Sequence, residues 1–257
     1  MTRNVYVGAD LDAVIASPAD QVPFAVATAY QQLHQTDFTV RAAAFANEIE
    51  STNPQLVGLQ EISKIQTQSP GDFFTFDENG NPVVNNPYPN ASTLEYDYLE
   101  ILLDTLEARG LDYRVGAIVQ NLDIELPMYT GNAPIPFDDV RLTDYDVILV
   151  RGDVPFENPQ AENYGVSYPV PGTVVQMTRG WASVDATVGG TKFRFVSTHT
   201  FSEAKALRQA QLAELLSVIG DDLPIILVGD LNAEPGDLDD FYELAVGLAS
   251  VHRSTKP

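Results

Sequence analysis

The sequence predicts an α/β or α+β fold, with two layers of strand covered by helices. Three observations lead there. Short apolar runs alternate with helical stretches, two β-type runs flank Gly189-Gly190 as a hairpin, and no Pro-, Ser- or Gly-rich linker divides the 257 residues. Strands that alternate with helices and also pair in hairpins require a mixed sheet, and their apolar faces require cover. The length, with 44% hydrophobic residues, suits one large domain over residues 1–257.

The elements follow in order. Thr39 to Ser51 reads as a helix with Val40, Ala43, Ala44, Ala46 and Ile49 mostly on one side, and Pro54 follows its end. Leu56 to Leu59 is a short apolar strand ending at Gln60-Glu61. Residues 63–91, rich in Gly, Pro, Asn, Ser and Thr, read as a long loop. Ser92-Thr-Leu-Glu95 matches a capping box and opens a helix carrying Leu94, Tyr98, Ile101, Leu102 and Leu106, closed by Gly110. Tyr113 to Val119 and Tyr145 to Val150 read as strands with an irregular Pro-rich stretch between them. Trp181 to Val188 and Thr191 to Thr198 form the hairpin. Glu203 to Ile219 is an amphipathic helix whose apolar side carries Leu207, Ala210, Leu215 and Val218, with Leu212 flanking. Pro224 to Val228 is a strand buried by its composition, and Asp237 caps a helix running to about Val246.

Charge narrows the function classes. Asp and Glu number 36 against 14 Lys and Arg, a net charge of −22, and the lysines are Lys64, Lys192, Lys205 and Lys256 alone. Such a surface repels polyanions at low salt, which argues against extensive binding to a nucleic-acid backbone. A small anionic site remains compatible, because a divalent cation supplies positive charge locally. The same composition suits a protein that works in high salt. Cysteine is absent, which excludes disulfides and thiolate metal sites. No apolar run reaches the ~18 residues of a membrane span. Met1 to Asp10 lack the charged start and apolar stretch of a signal peptide, so export requires a signal that has been removed, and no compartment is assigned.

Chemistry concentrates at strand ends. Asn4 lies in Thr-Arg-Asn-Val-Tyr, Glu61 ends Leu-Val-Gly-Leu-Gln-Glu, His199 ends Phe-Arg-Phe-Val-Ser-Thr-His, and Asp230 and Asn232 end Ile-Ile-Leu-Val-Gly-Asp-Leu-Asn. Polar residues after apolar runs emerge at one edge of a sheet, where α/β proteins place their sites. Each has a plainer reading alone: a solvated loop glutamate, a structural histidine, a turn at Gly-Asp-Leu-Asn. The combination and its order favour a site. Arg151, ending Val-Ile-Leu-Val-Arg, is either a phosphate clamp or an ion-pair partner for one of the many acids.

Leu59-Gln60-Glu61, Ser197-Thr198-His199 and Gly229-Asp230-Leu231-Asn232 resemble motifs of the endonuclease/exonuclease/phosphatase superfamily. Leu207-Arg208-Gln209-Ala210-Gln211-Leu212 resembles the helix after its histidine motif, and Met1 to Leu11 its first motif. This is the superfamily of pancreatic-type deoxyribonucleases, abasic-site endonucleases, bacterial sphingomyelinases and inositol-phosphate phosphatases. The resemblance implies two packed mixed β-sheets flanked by helices, a four-layer sandwich with its site at one end. It implies a metal-dependent phosphoesterase acting on nucleic acid or on a small or lipid phosphoester. Glu61 is then the ligand of a divalent cation, usually Mg²⁺ with Mn²⁺ or Ca²⁺ as alternatives. Asn4 is a second ligand or a phosphate contact, Asp230 orients or deprotonates the attacking water, and Asn232 and His199 contact the phosphate. A non-catalytic module that binds metal or phosphate is the alternative.

One departure stands out. The superfamily ends on a Ser-Asp-His motif that this chain lacks. Its histidines are His34, His199 and His252, and Ser250-Val251-His252 has no aspartate before the histidine. The resemblance therefore implies that the last strands of one sheet are missing and that activity is reduced or lost.

Overall fold

A computed structural model describes residues 1–233 apart from 133, 171, 172, 174, 203, 204 and 221. The helix expected from Asp237 and the Ser250-Val251-His252 segment lie outside the described residues. In chain order the elements are β1 (Thr2–Asn4), α1 (Leu11–Ile15), α2 (Val22–Thr36), α3 (Phe38–Thr52), β2 (Leu56–Gln68), β3 (Phe74–Phe76), β4 (Pro82–Val84), β5 (Thr93–Asp97) and α4 (Tyr98–Glu107). They continue with β6 (Tyr113–Tyr129), β7 (Phe137–Arg151), β8 (Phe156–Asn163), β9 (Tyr168–Pro169), β10 (Gln176–Met177), β11 (Gly180–Val188), β12 (Thr191–His199), α5 (Lys205–Val218) and β13 (Ile225–Asp230).

Two mixed sheets form the centre. The first runs β1-β2-β7-β6, with β5 also on β2; the second runs β13-β12-β11-β8. Pairings β1–β2 and β12–β13 are parallel, while β2–β7, β6–β7, β2–β5, β11–β12 and β8–β11 are antiparallel. The sheets face each other through Leu56, Ala117, Ile148, Val150, Ala182, Val184, Ala186 and Phe195. On the outer face of the first sheet, α3 and α4 bury Phe38, Ala42, Ala46, Ile49, Leu102 and Leu106 against Val57, Leu59, Val147 and Leu149. On the outer face of the second, α5 sets Leu215 against Trp181 and Val196, with Ile219 just beyond the helix. The layers are thus helix, sheet, sheet, helix, the predicted sandwich. The sheets approach closely at Gly58, where an added Cβ would lie 2.6 Å from Ser197 Oγ and 3.0 Å from Val228 Cγ2.

Several local expectations are corrected. The strand beginning at Leu56 does not stop at Leu59; it runs to Gln68 along the whole of β7. Residues 63–91 are therefore only partly loop and also contain the β3–β4 hairpin. Ser92-Thr-Leu-Glu95 does not cap a helix. Thr93–Asp97 pairs with β2, leaving Leu94 50% exposed. Helix α4 starts one element later, where the Asp97 side chain accepts the N–H of Glu100 at 3.2 Å. A free edge of the long β2 has captured the segment, overriding the local cap signal. In α3 the buried face is Phe38, Ala42, Ala46 and Ile49, with Val40 exposed; in α5 it is Gln211, Leu212 and Leu215, with Val218 exposed. Helix α2, which carries Pro23 in its first turn, is an element beyond those expected from the sequence. The Pro-rich stretch between the two expected strands belongs largely to β6 and β7. Strand β13 is not buried throughout: Ile225 and Ile226 are 39% and 45% exposed. The hairpin forms as expected, with Gly189 and Gly190 at φ 58° and 81°, which the favoured two-residue turn requires.

Candidate active site

The parallel pairings bring the strand-end residues to one end of the sandwich. Asn4 lies opposite Gln60 on β2, and His199 lies opposite Asp230 on β13. Gln60 Nε2 donates to Ser197 Oγ at 3.0 Å and so ties the two sheets at that end.

Glu61 gets its position from a bulge. From Leu59 to Ile62 β2 advances three residues while β7 advances two, from Val147 to Tyr145. The extra residue re-aims the side chain, a known use of bulges beside sites. The bulge falls where the pairing of β2 passes from β1 to β5, and Glu61 adopts φ 60°. Tyr6 and Asn232 also have positive φ, at 61° and 46°. Left-handed backbone at non-glycine residues is costly and gathers at functional sites. Gly229, at φ 146°, would put a Cβ 1.9 Å from Thr198 O, so a side chain there is excluded.

The side chains then converge. Asn4 Nδ2 donates to Glu61 Oε1 at 2.8 Å and to Asp230 Oδ2 at 2.9 Å. Glu61 Oε2 accepts the Val7 N–H at 2.8 Å, and Asn4 Oδ1 accepts the Tyr6 N–H at 2.8 Å. Asp230 Oδ1 accepts the Asn232 N–H at 3.0 Å, and Asn232 Nδ2 donates to Thr200 O at 2.8 Å. Burial pushes the Asp230 carboxyl up. The hydrogen bonds from Asn4 and Asn232, with His199 and Arg179 nearby, outweigh that and hold its pKa below the ordinary 3.8.

Behind them lies a buried charged cluster that sequence reasoning missed. His199 Nδ1 stands 3.7 Å from Asp146 Oδ1, and both residues are buried. Neither Asp146 oxygen has a hydrogen-bond partner among the described residues. Two positions along β7, Asp144 lies 3.4 Å from Arg179 Nη1. Burial pushes the Asp144 carboxyl up; Arg179 and His199 oppose, Asp146 and Glu61 reinforce, and it reaches about 7. The available signal was Thr-Asp-Tyr-Asp directly before Val-Ile-Leu-Val, which places two acids on one face of a strand otherwise built for burial.

Of the expected site residues, Asn4, Glu61, Asp230, Asn232 and His199 come together. Arg151 does not. Its neighbour Val150 pairs with Leu56, at the start of β2, well away from Glu61. Its guanidinium is held by Asp153 at 2.6 and 3.1 Å and by Asn53 at 2.8 and 2.9 Å. The ion-pair reading of Arg151 is the one the geometry bears out.

The donors fit a divalent cation. Two carboxylates, Glu61 and Asp230, face one amide group whose N–H donors carry only partial positive charge, and carboxylate oxygens are hard donors of the kind such a cation takes.

No family model matches the chain, and no curated protein matches it. Solved structures do. A truncated Caenorhabditis elegans TDP2 is 18% identical with TM-score 0.42, covering 77% of this chain and 57% of its own. A Bacteroides thetaiotaomicron mannosyl-6-phosphatase is 16% identical with TM-score 0.46, covering 82% and 62%. An endonuclease/exonuclease/phosphatase family protein from Leptotrichia buccalis is 14% identical with TM-score 0.46, covering 82% and 63%. This chain thus spans less than two thirds of each of these structures.

Proposed function

We propose that this chain is a divalent-metal-dependent phosphoester hydrolase that promotes in-line attack of water on phosphorus. The observation that carries the reading is the double hydrogen bond of Asn4, which draws Glu61 of one sheet and Asp230 of the other to a single point. Glu61, with Asn4 beside it, would hold the cation, Mg²⁺ first among the candidates. When bound, the cation supplies positive charge to a non-bridging phosphate oxygen and stabilises the charge that develops there.

The chain's own residues do the rest. Asp230, with its depressed pKa, stays ionised at neutral pH and accepts a hydrogen bond from the attacking water, orienting it. It is a weak base for the same reason, so its first role is aim. Asn232 and His199 contact the phosphate, with the Asp146 carboxylate 3.7 Å behind the imidazole of His199. Asn4, Glu61, His199 and Asp230 sit on four strands of two packed sheets, with Asn232 just past the last, a rigid placement that favours orientation.

Two features support a small or lipid-like phosphoester over a nucleic acid. The net charge of −22 disfavours a long polyanion. An apolar cavity of about 360 Å³ is lined by Val7, whose N–H holds Glu61, and by Leu11, Val14, Val26, Phe74 and Leu126 among others. That lining suits an acyl or other apolar group carried by the phosphoester.

The test is hydrolysis of bis(p-nitrophenyl) phosphate, a lipid phosphodiester and plasmid DNA with Mg²⁺, Mn²⁺ or Ca²⁺. Metal-dependent turnover is expected, falling by about 10²-fold or more in both Glu61→Gln and Asp230→Asn. Absence of turnover from folded protein with every metal would sink the proposal. Mg²⁺ affinity without turnover would instead select the metal- or phosphate-binding module.

A further inference from the structure

A second cluster of acids lies away from this site. Asp72 is in the segment between β2 and β3, Glu125 is on β6 and Asp139 is on β7; one oxygen from each lies within 4.8 Å of the others. Asp139 pairs opposite Gln68, seven residues beyond Glu61 on β2, which is roughly 20 Å along a strand.

The two buried carboxylates are used asymmetrically. Asp139 Oδ2 accepts the N–H groups of Asp72 and Phe73 at 2.6 and 2.9 Å. Glu125 Oε2 accepts those of Asn90 and Ala91, both at 2.7 Å. Each acid thereby pins one end of the 72–91 segment. The other oxygens, Asp139 Oδ1 and Glu125 Oε1, have no hydrogen-bond partner among the described residues, although the residues are 0% and 2% exposed. The carboxylate of Asp72 completes the group and is met by Asn90 Nδ2 at 3.0 Å and by Asn86 Nδ2 at 3.4 Å. Arg141 lies directly across from Glu125, but its guanidinium is spent on Asp123, at 2.7 Å for both bonds. A buried anionic oxygen without a partner is strongly unfavourable, and these two belong to carboxylates that gather in one small space. Gly71 closes over that space: an added Cβ there would lie 2.5 Å from Asp139 Oδ1.

We infer that Asp72, Glu125 and Asp139 bind a Ca²⁺ ion that fastens the 72–91 segment onto the β6–β7 hairpin. Three carboxylates from separate segments make an irregular hard-oxygen set, which Ca²⁺ tolerates and Mg²⁺, with its strict octahedral demand, does not. The segment includes Phe73, Phe74 and Val84, which line the apolar cavity, so the ion would also fix one wall of that cavity. The inference does not depend on the catalytic proposal.

The experiment titrates Ca²⁺ into chelator-treated Glu61→Gln protein by calorimetry and follows its melting, so that the proposed catalytic site is already weakened. One Ca²⁺ bound per chain is expected. A rise in Tm of about 5–10 °C is expected at a hundred times Kd for a chain of this size. Adding Asp72→Asn, Glu125→Gln or Asp139→Asn should weaken the affinity at least tenfold. Asp72 is only half-buried, so its variant keeps the test decisive should either buried change unfold the protein. No Ca²⁺ binding by the Glu61→Gln protein overturns the inference, as does affinity unchanged by Asp72→Asn.

Discussion

Asn4 is bound on three sides, its amide oxygen by the Tyr6 N–H and its nitrogen by Glu61 and Asp230. Replacing it with alanine removes both donors at once and leaves two carboxylates facing each other with no group between them. Activity of the Asn4→Ala variant should fall by about 10²-fold, the typical cost of losing one preorganised donor. Steady-state kinetics with saturating Mg²⁺ checks this, and kcat/KM within a few-fold of the parent would remove Asn4 from the site. Gly58 illustrates a different constraint. It sits on β2 with no room for a methyl group, because Ser197 Oγ and Val228 Cγ2 occupy that space at 2.6 and 3.0 Å. Gly58→Val should destabilise by about 1–3 kcal/mol through overpacking between the sheets. Urea denaturation at constant m-value would read it, and an unchanged midpoint would mean that the sheets separate more easily than their packing implies.

Helix α4 gives a cleaner test at the level of an element, since two candidate caps compete for it. Asp97→Ala should cost about 1 kcal/mol, the usual value of an N-cap, while Ser92→Ala should change stability by less than about 0.5 kcal/mol. Thermal melts of the two variants decide; a larger loss at Ser92 would restore the helix start read from sequence. The misreading has a physical cause. A capping box is a local signal of a few tenths to one kcal/mol, and the unpaired edge of β2 offered backbone hydrogen bonds to Thr93–Asp97 instead. Patterns that depend on neighbours in the chain were legible: the Gly189-Gly190 hairpin, the helix at Phe38–Thr52 and the apolar runs that lead to Glu61, His199 and Asp230. Features that depend on distant pairing were not. The full length of β2, β6 and β7 comes from their mutual ladder, and nothing local marks Gln68 or Tyr129 as strand. The site divides in the same way. Its strand-end members announce themselves by following apolar runs. Asp144, Asp146 and Arg179 become a cluster with His199 only because the two sheets pack face to face. Arg151 ended an apolar run as well, but antiparallel pairing carried it to the opposite end of β2.

The whole chain carries −22 charges, yet its buried acids pull stability in two directions as pH changes. For Asp185, burial raises the pKa, but hydrogen bonds from Arg194 and Asn158 outweigh it and leave the pKa below 3.8. A depressed folded value adds stability above the unfolded pKa, and that stability is lost as pH falls through the folded one. Asp144 works the other way. Its folded value is raised from 3.8 to about 7, so the native state holds the extra proton across that window. Its contribution is full below 3.8 and is lost as pH rises towards 7. General repulsion among surface acids grows in the same direction, but salt screens it, with a Debye length of ~3 Å at 1 M. The two contributions can therefore be separated. With divalent cations removed, Tm should fall between pH 5 and pH 8, and 1 M NaCl should recover only part of the fall. Asp144→Asn, which cannot titrate, should flatten the part that salt leaves behind, because a buried group is poorly screened. Calorimetry of both proteins at pH 5, 6, 7 and 8 in low and high salt measures this. Identical slopes for the two proteins in 1 M NaCl would show that Asp144 is ionised throughout and that its burial is compensated by Arg179.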